Sequence, residues 1–154
     1  MDSLLLATPA TSEGAFQYAF SHLAESEQAD PGAWSRMADE QRHVFALGTL
    51  RLEVAGGGFE GYFLYAGGDT APAALEAADL IGPEWVGLVS DACALFGDHY
   101  PVDRESREIA VNELLHRDPR VFAALDARFD ALPASEADAR LDAYVWEHRA
   151  AFFD

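Results

Sequence analysis

Two Glu-x-x-His pairs are the residues of this chain best spaced to do chemistry: Glu40-Gln41-Arg42-His43 and Glu113-Leu114-Leu115-His116. Glu and His three residues apart share one side of a helix, so each pair has the geometry to clasp a cation. Glu13 and Glu84 stand 27 and 29 residues upstream of the two pairs. The set imitates the carboxylate and Glu-x-x-His arrangement of helical-bundle di-metal sites. Such a bundle needs long uninterrupted helices, whereas Pro31-Gly32 breaks the first pair of segments and Gly97 with Pro101 breaks the second. Glu113 and His116 also fall beside the apolar stripe through Val111, Leu114 and Leu115. Solvated side chains are therefore the preferred reading. A helical-bundle metalloenzyme using Glu40, His43, Glu113 and His116 is the alternative from the enzyme class.

Other chemistries have less support. Cys93 sits within an apolar helical pattern, where a lone cysteine packs as a small hydrophobe and lacks a basic neighbour to activate it. No serine lies in a nucleophile-elbow pattern, and His22, His99 and His148 are isolated in sequence. Gly56-Gly57-Gly58 is followed by no Lys and belongs to no G-x-G-x-x-G, and Glu53 and Glu60 flank it, so a structural turn is expected there in place of a phosphate loop.

Charge is the strongest functional feature. The 154 residues carry 27 acids against 10 basic residues, all of them Arg, for a net charge of −17. Residues 1–77 contribute −8 and residues 78–154 contribute −9, so the charge belongs to a folded body and not to an acidic tail. A surface of this sign repels nucleic acid and anionic membranes and attracts cations or basic proteins. Between Arg51 and Arg104 there is no Arg or Lys, against the nine acids Glu53, Glu60, Asp69, Glu76, Asp79, Glu84, Asp91, Asp98 and Asp103. Acids three or four apart on a helix lie roughly 5–6 Å from each other, a spacing comparable with phosphates along a strand. Glu76 with Asp79, Asp126 with Asp130, and Asp138 with Asp142 are pairs of this kind. Solubility, or adaptation to a salty cytoplasm, is the plain alternative explanation of the charge.

The elements that must position these residues read as helices. Asp30-Pro31, Thr70-Ala71-Pro72, Gly82-Pro83 and Asp118-Pro119 each set a capping or turn residue before a proline suited to a first helical turn, and Ser135 with Asp138 reads as a variant capping box. Stripes at a period of 3.6 run through Trp85, Leu88, Val89, Ala92, Leu95 and Phe96, through Val121, Phe122, Leu125, Phe129 and Leu132, and through Leu141, Tyr144, Val145, His148 and Phe152. Weaker stripes run through Phe16, Ala19, Phe20 and Leu23 and through Val44, Leu47 and Val54. A hairpin about the glycine run is conceivable from the alternation of Leu50, Leu52 and Val54, but Phe59, Tyr62 and Phe63 share a face at helical spacing. The glycines are then the stop of one helix and the sharp turn into the next, and the aromatic trio is buried. The expectation is an all-α fold, a single compact domain over residues 1–154 with seven to nine helices. The start Met1-Asp2-Ser3-Leu4-Leu5-Leu6 lacks a basic region, and no apolar run approaches the roughly 20 residues of a membrane span. With one cysteine besides, the expected location is the cytoplasm.

The string Glu53-Val54-Ala55-Gly56-Gly57-Gly58-Phe59-Glu60-Gly61-Tyr62-Phe63 resembles the signature of a bacterial domain-of-unknown-function family that includes an acidic DNA-mimic protein. The likeness continues through Gly68-Asp69, Ala74-Leu75-Glu76-Ala77 and Ile81-Gly82 to Asp103-Arg104-Glu105-Ser106-Arg107, covering about residues 40–110. This chain has Ala55, Gly56 and Gly61 where the family usually has an asparagine and a glutamine, so polar contacts of those amides are lost. The resemblance implies an all-α fold and DNA mimicry. The expected function is an acidic binding protein that covers the basic surface of a DNA-binding protein, with Glu53, Glu60, Asp69, Glu76, Asp79, Asp126, Asp130, Asp138 and Asp142 as partner-binding residues. It needs no reaction, no cofactor and no direct contact with nucleic acid or membrane. An acidic interaction or immunity-type module unrelated to DNA is the further alternative.

Overall fold

A computed structural model describes residues 4–154, so Met1-Asp2-Ser3 of the start read above lies outside the described residues. Eight α-helices are present among them: α1 (Ala15–Ala29), α2 (Ala33–Arg36), α3 (Asp39–Leu64), α4 (Ala71–Ala77), α5 (Pro83–Ala94), α6 (Arg104–Arg117), α7 (Ala123–Ala131) and α8 (Ala134–Glu147). Short 3-10 turns lie at Ala66–Thr70, Ala78–Leu80 and Arg149–Ala151. The fold is all-α. The only strand-like feature among the described residues is an isolated parallel bridge between Leu6 and Phe153. The residues group into two compact units, one made of residues up to Gly48 with Pro133–Asp154, the other of Thr49–Leu132.

In the first unit, α1 buries Ala15, Phe16, Ala19, Phe20 and Leu23, and α8 buries Ala137, Leu141 and Val145. These are the residues at 3.6 spacing, and the two helices pack on each other. An acid fixes the start of α1: Asp142 on α8 accepts the amides of Gly14 at 3.1 Å and Phe16 at 2.9 Å, using donors that a helix leaves unpaired at its first turn. The chain ends are tied together there as well, through Leu6 N–H to the Phe152 carbonyl at 2.9 Å and Asp154 N–H to the Leu6 carbonyl at 2.8 Å.

In the second unit, Phe59, Tyr62 and Phe63 are buried as their spacing predicts. Phe63 is the centre of an aromatic core, with the rings of Phe96, Tyr100 and Phe122 at 4.9, 6.0 and 6.0 Å. Trp85 on α5 meets Phe129 on α7 edge to face at 5.6 Å. Both residues belong to the stripes read in the sequence.

The glycine run forms no hairpin. Gly56 and Gly57 continue α3, and only Gly58 leaves helical geometry, at φ 68° and ψ −177°, a conformation essentially restricted to glycine. The helix restarts at once because Asp126 of α7 accepts the Phe59 amide at 2.8 Å in place of a helical carbonyl. The run thus ends one helical segment and turns the chain sharply into the next at Gly58, as its place between the two apolar faces predicts.

Three helix starts differ from the sequence reading. After Asp30-Pro31 the chain first turns, the Asp30 carboxylate accepting the Gly32 amide at 2.9 Å, and Gly32 is the cap of α2. Pro133, not Ser135, is the cap of α8, so Ser135 lies inside the first turn. After Asp118-Pro119 the chain makes turns before α7 begins at Ala123, and the Asp118 carboxylate closes one of them on the Arg120 amide at 3.0 Å. Thr70 and Gly82 do cap α4 and α5, each followed by a proline in the first turn.

The glycines separate in their expected response to alanine. Gly56 and Gly57 have negative φ, helical context and open space around them, so Gly56→Ala and Gly57→Ala should each stabilise by about 0.5–1 kcal/mol. At Gly58 a Cβ would stand 2.8 Å from an Asp126 oxygen and force the strained φ, so Gly58→Ala should destabilise by about 1–3 kcal/mol. Denaturant midpoints of the three variants check the order. Phe63→Ala, which opens a cavity at the centre of the aromatic core, should cost about 3–5 kcal/mol by the same measurement.

Candidate functional site

The most constrained group in the second unit is Arg107, which lies on α6 one turn before Val111 and is wholly buried. All five of its guanidinium donors are used. Nε donates to the Phe63 carbonyl at 2.6 Å, one terminal nitrogen to the carbonyls of Pro101 at 3.2 Å and Val102 at 2.8 Å, and the other to the Tyr65 carbonyl at 3.0 Å and to Asp69 at 2.6 Å. One side chain thereby joins the end of α3, the following 3-10 turn and the loop that enters α6. Gly68 leaves room for it, because a Cβ there would stand 2.6 Å from Arg107 Nε. The Gly68 carbonyl in turn accepts the Tyr100 hydroxyl at 2.6 Å.

Asp69 bridges this buried cation to Arg104, 2.9 Å away on the surface. Partial burial by itself would raise its pKa; the hydrogen bonds and charges of Arg104 and Arg107 outweigh that and hold it below its ordinary 3.8. Glu53 responds in the opposite sense: desolvation raises its pKa despite the Gly67 amide pointing at it. Asp103 caps α6, its carboxylate accepting the Ser106 amide at 2.9 Å, which lowers its pKa.

The nine acids proposed from sequence fall into two sets. Glu53, Asp69, Asp126 and Asp142 are only partly exposed and serve the fold: Asp69 is committed to two arginines, Asp126 and Asp142 hold helix starts, and Glu53 faces the Gly67 amide. Glu60, Glu76, Asp79, Asp130 and Asp138 are exposed. Of the three helical pairs, only Glu76 with Asp79 keeps both members exposed; Asp126 and Asp142 are drawn from the other two by backbone amides. Glu105 and Glu108, three apart on α6, form an exposed pair that the sequence reading did not single out. Arg107 was passed over as well, although its position on the Val111 side of α6 was a signal: a cation on an apolar stripe must find an acceptor.

His43 Nδ1 lies 3.3 Å from the Tyr144 hydroxyl, and Glu113 lies 3.9 Å from Arg117. His116 is exposed. Among the described residues no three His, Cys, Asp or Glu side chains form a group that would hold a metal ion. Burial pushes the Cys93 thiol up to about 11, away from the thiolate that nucleophilic attack requires. No helix among the described residues is long and apolar enough to cross a membrane.

The chain is therefore an acidic all-helical protein in which most arginines bond its own carboxylates or backbone carbonyls. A family profile describing a DMP19-like protein matches residues 35–148, and the chain belongs to that family. The match agrees with the resemblance carried by the residues about the glycine run, and it reaches beyond residues 40–110 to include most of α8. No curated protein and no solved structure matches the chain.

Removing the guanidinium strands several buried carbonyls and the Asp69 charge. Arg107→Met should accordingly destabilise by about 3–5 kcal/mol, whereas Arg104→Met, an exposed partner of the same carboxylate, should cost at most about 1 kcal/mol. Because the folded Asp69 titrates below its unfolded value, its contribution is present above about pH 4 and is lost as pH falls through the folded value. Acid unfolding of Asp69→Asn should be correspondingly less steep than that of the wild type, as followed by circular dichroism.

Proposed function

We propose that this protein is a DNA mimic, which acts in the cytoplasm by covering the basic surface of a DNA-binding protein and competing with DNA for it. The observation that carries this reading is the use made of the cations. Arg107 is enclosed, Arg104 is bound to Asp69 and Arg128 to Asp91, while Glu60, Asp79, Glu84 and Asp130 stand exposed. The chain thus offers solvent far more negative charge than its composition of paired residues would suggest. Membership of the DMP19-like family supports the same reading. Glu76 and Asp79 lie three residues apart at the end of α4 and the 3-10 turn after it, so they are the first candidates for partner contact, followed by Glu60 and Asp130 of the same unit and Asp138 of the other. The more enclosed Glu53, Asp69, Asp126 and Asp142 add to the field of the protein while holding its backbone.

A basic DNA-binding protein captured from a bacterial lysate on the immobilised chain should be released by added duplex DNA and by rising salt, since exposed charges are screened over about 10 Å at roughly 0.1 M ionic strength. Replacing Glu76 and Asp79 together by Lys should slow its association by about tenfold and change dissociation much less. Surface plasmon resonance separates the two rates. A partner whose binding is indifferent to both salt and DNA would identify an acidic interaction module unrelated to DNA and end the mimicry reading.

A further inference from the structure

Most large apolar side chains of this protein are buried, yet Tyr65 is 66% and Val102 is 56% exposed. They are 37 residues apart in sequence, and the backbone carbonyls of both are held by the one guanidinium of Arg107, at 3.0 and 2.8 Å. Two exposed apolar residues are thus fixed in one neighbourhood by a buried, fully bonded cation. Fixing their backbone in advance reduces the ordering cost of binding. Around these carbonyls stand three carboxylates, Asp69 on the same guanidinium, Asp103 next in sequence to Val102, and Glu53 within electrostatic reach of Asp69 and Arg104. Asp69 is shared by the enclosed Arg107 and the exposed Arg104, so Asp103 and Glu53 carry the negative charge that this neighbourhood has in excess.

We propose that the Tyr65 and Val102 patch is a docking surface for arginine side chains of a basic protein partner, with the Tyr65 ring as the stacking plane and the carboxylates around it as the charge. The inference rests on the DNA-mimic reading and adds to it. DNA offers basic proteins aromatic planes as well as phosphates, and an Arg guanidinium stacks on an aromatic face in a way that a Lys ammonium, a compact and strongly hydrated charge, does not. An acidic surface without an aromatic plane reproduces only the phosphates. Here an exposed tyrosine, whose carbonyl shares the Arg107 guanidinium with Asp69, supplies a plane on an acidic protein, and the exposed Val102 offers the aliphatic part of an arginine an apolar surface to lie on.

The test uses oligo-arginine and oligo-lysine peptides of equal length as probes, with affinities measured by fluorescence anisotropy at several salt concentrations on the full chain. The wild type should prefer oligo-arginine. Tyr65→Ser should weaken oligo-arginine about tenfold and leave oligo-lysine unchanged, Val102→Ser should act in the same direction more weakly, and Tyr65→Phe should retain the preference. Because both side chains are exposed, the variants should unfold at the wild-type midpoint. Equal binding of the two peptides, or a Tyr65→Ser variant that keeps the preference, overturns the docking surface while leaving salt-dependent mimicry intact. Failure of the wild type to bind either peptide overturns both readings. A wild-type dimer that Tyr65→Ser converts to monomer in sedimentation would show that a second copy covers the patch, and that too overturns it.

Discussion

The geometry of the Thr49–Leu132 unit depends on where the charge of Arg107 goes. A guanidinium removed from water must have its donors met within the protein, and this one is met by four backbone carbonyls and one carboxylate. Those carbonyls belong to the end of α3, to Tyr65 just after it and to the loop before α6; the Tyr65 carbonyl accepts the Gly68 amide at 3.2 Å as well, while the others lie at or beyond helix ends. The bonds therefore solve two problems at once, the buried cation and the unpaired acceptors of the chain around it. Gly68, Tyr100 and Asp69 follow from that choice: the first by leaving space, the second by bonding the Gly68 carbonyl, the third by balancing the charge.

Acids take a comparable part where no arginine is near. Asp142 holds the start of α1, Asp126 the restart of α3 after its kink, Asp103 the start of α6, and Glu27 accepts the Trp34 amide at 2.8 Å in α2. Each meets amides that would otherwise lack a partner at a helix end, in the region where the helix dipole also favours negative charge. With 27 acids and 10 arginines, pairing of acid with base is not available to most carboxylates, and backbone amides serve some of them instead. The surplus remains on the surface. The carboxylates are thus divided between those that face amides and those that face water.

The all-helical fold was legible from the sequence because its signals are local. Proline and threonine or glycine marked the starts of α4 and α5, and spacing placed Phe59, Tyr62 and Phe63 on one buried face. Spacing of acids, by contrast, located only the pairs and not their employment. Asp126 and Asp130 are equivalent in a helical pattern, yet one meets the Phe59 amide, 67 residues away in sequence, and the other faces solvent. The Ser135 capping box failed for a related reason: the backbone at Pro133 already provides the non-helical turn, so the helix begins before the serine.

What the sequence determined by itself was the helical periodicity, the aromatic core, the net charge and the family, since these depend on residue type and on neighbours within a few turns. Tertiary structure decided which glycine of the run bends the chain, because only at Gly58 does a distant carboxylate stand ready to replace the broken helical bond. It also decided that Arg107 is a buried hub and Arg104 a surface partner, though both open the same helix. The reason is common to these cases: a charged or polar side chain takes its role from whichever unmet donor or acceptor the fold brings to it, and that partner is set by contacts between segments far apart in the chain.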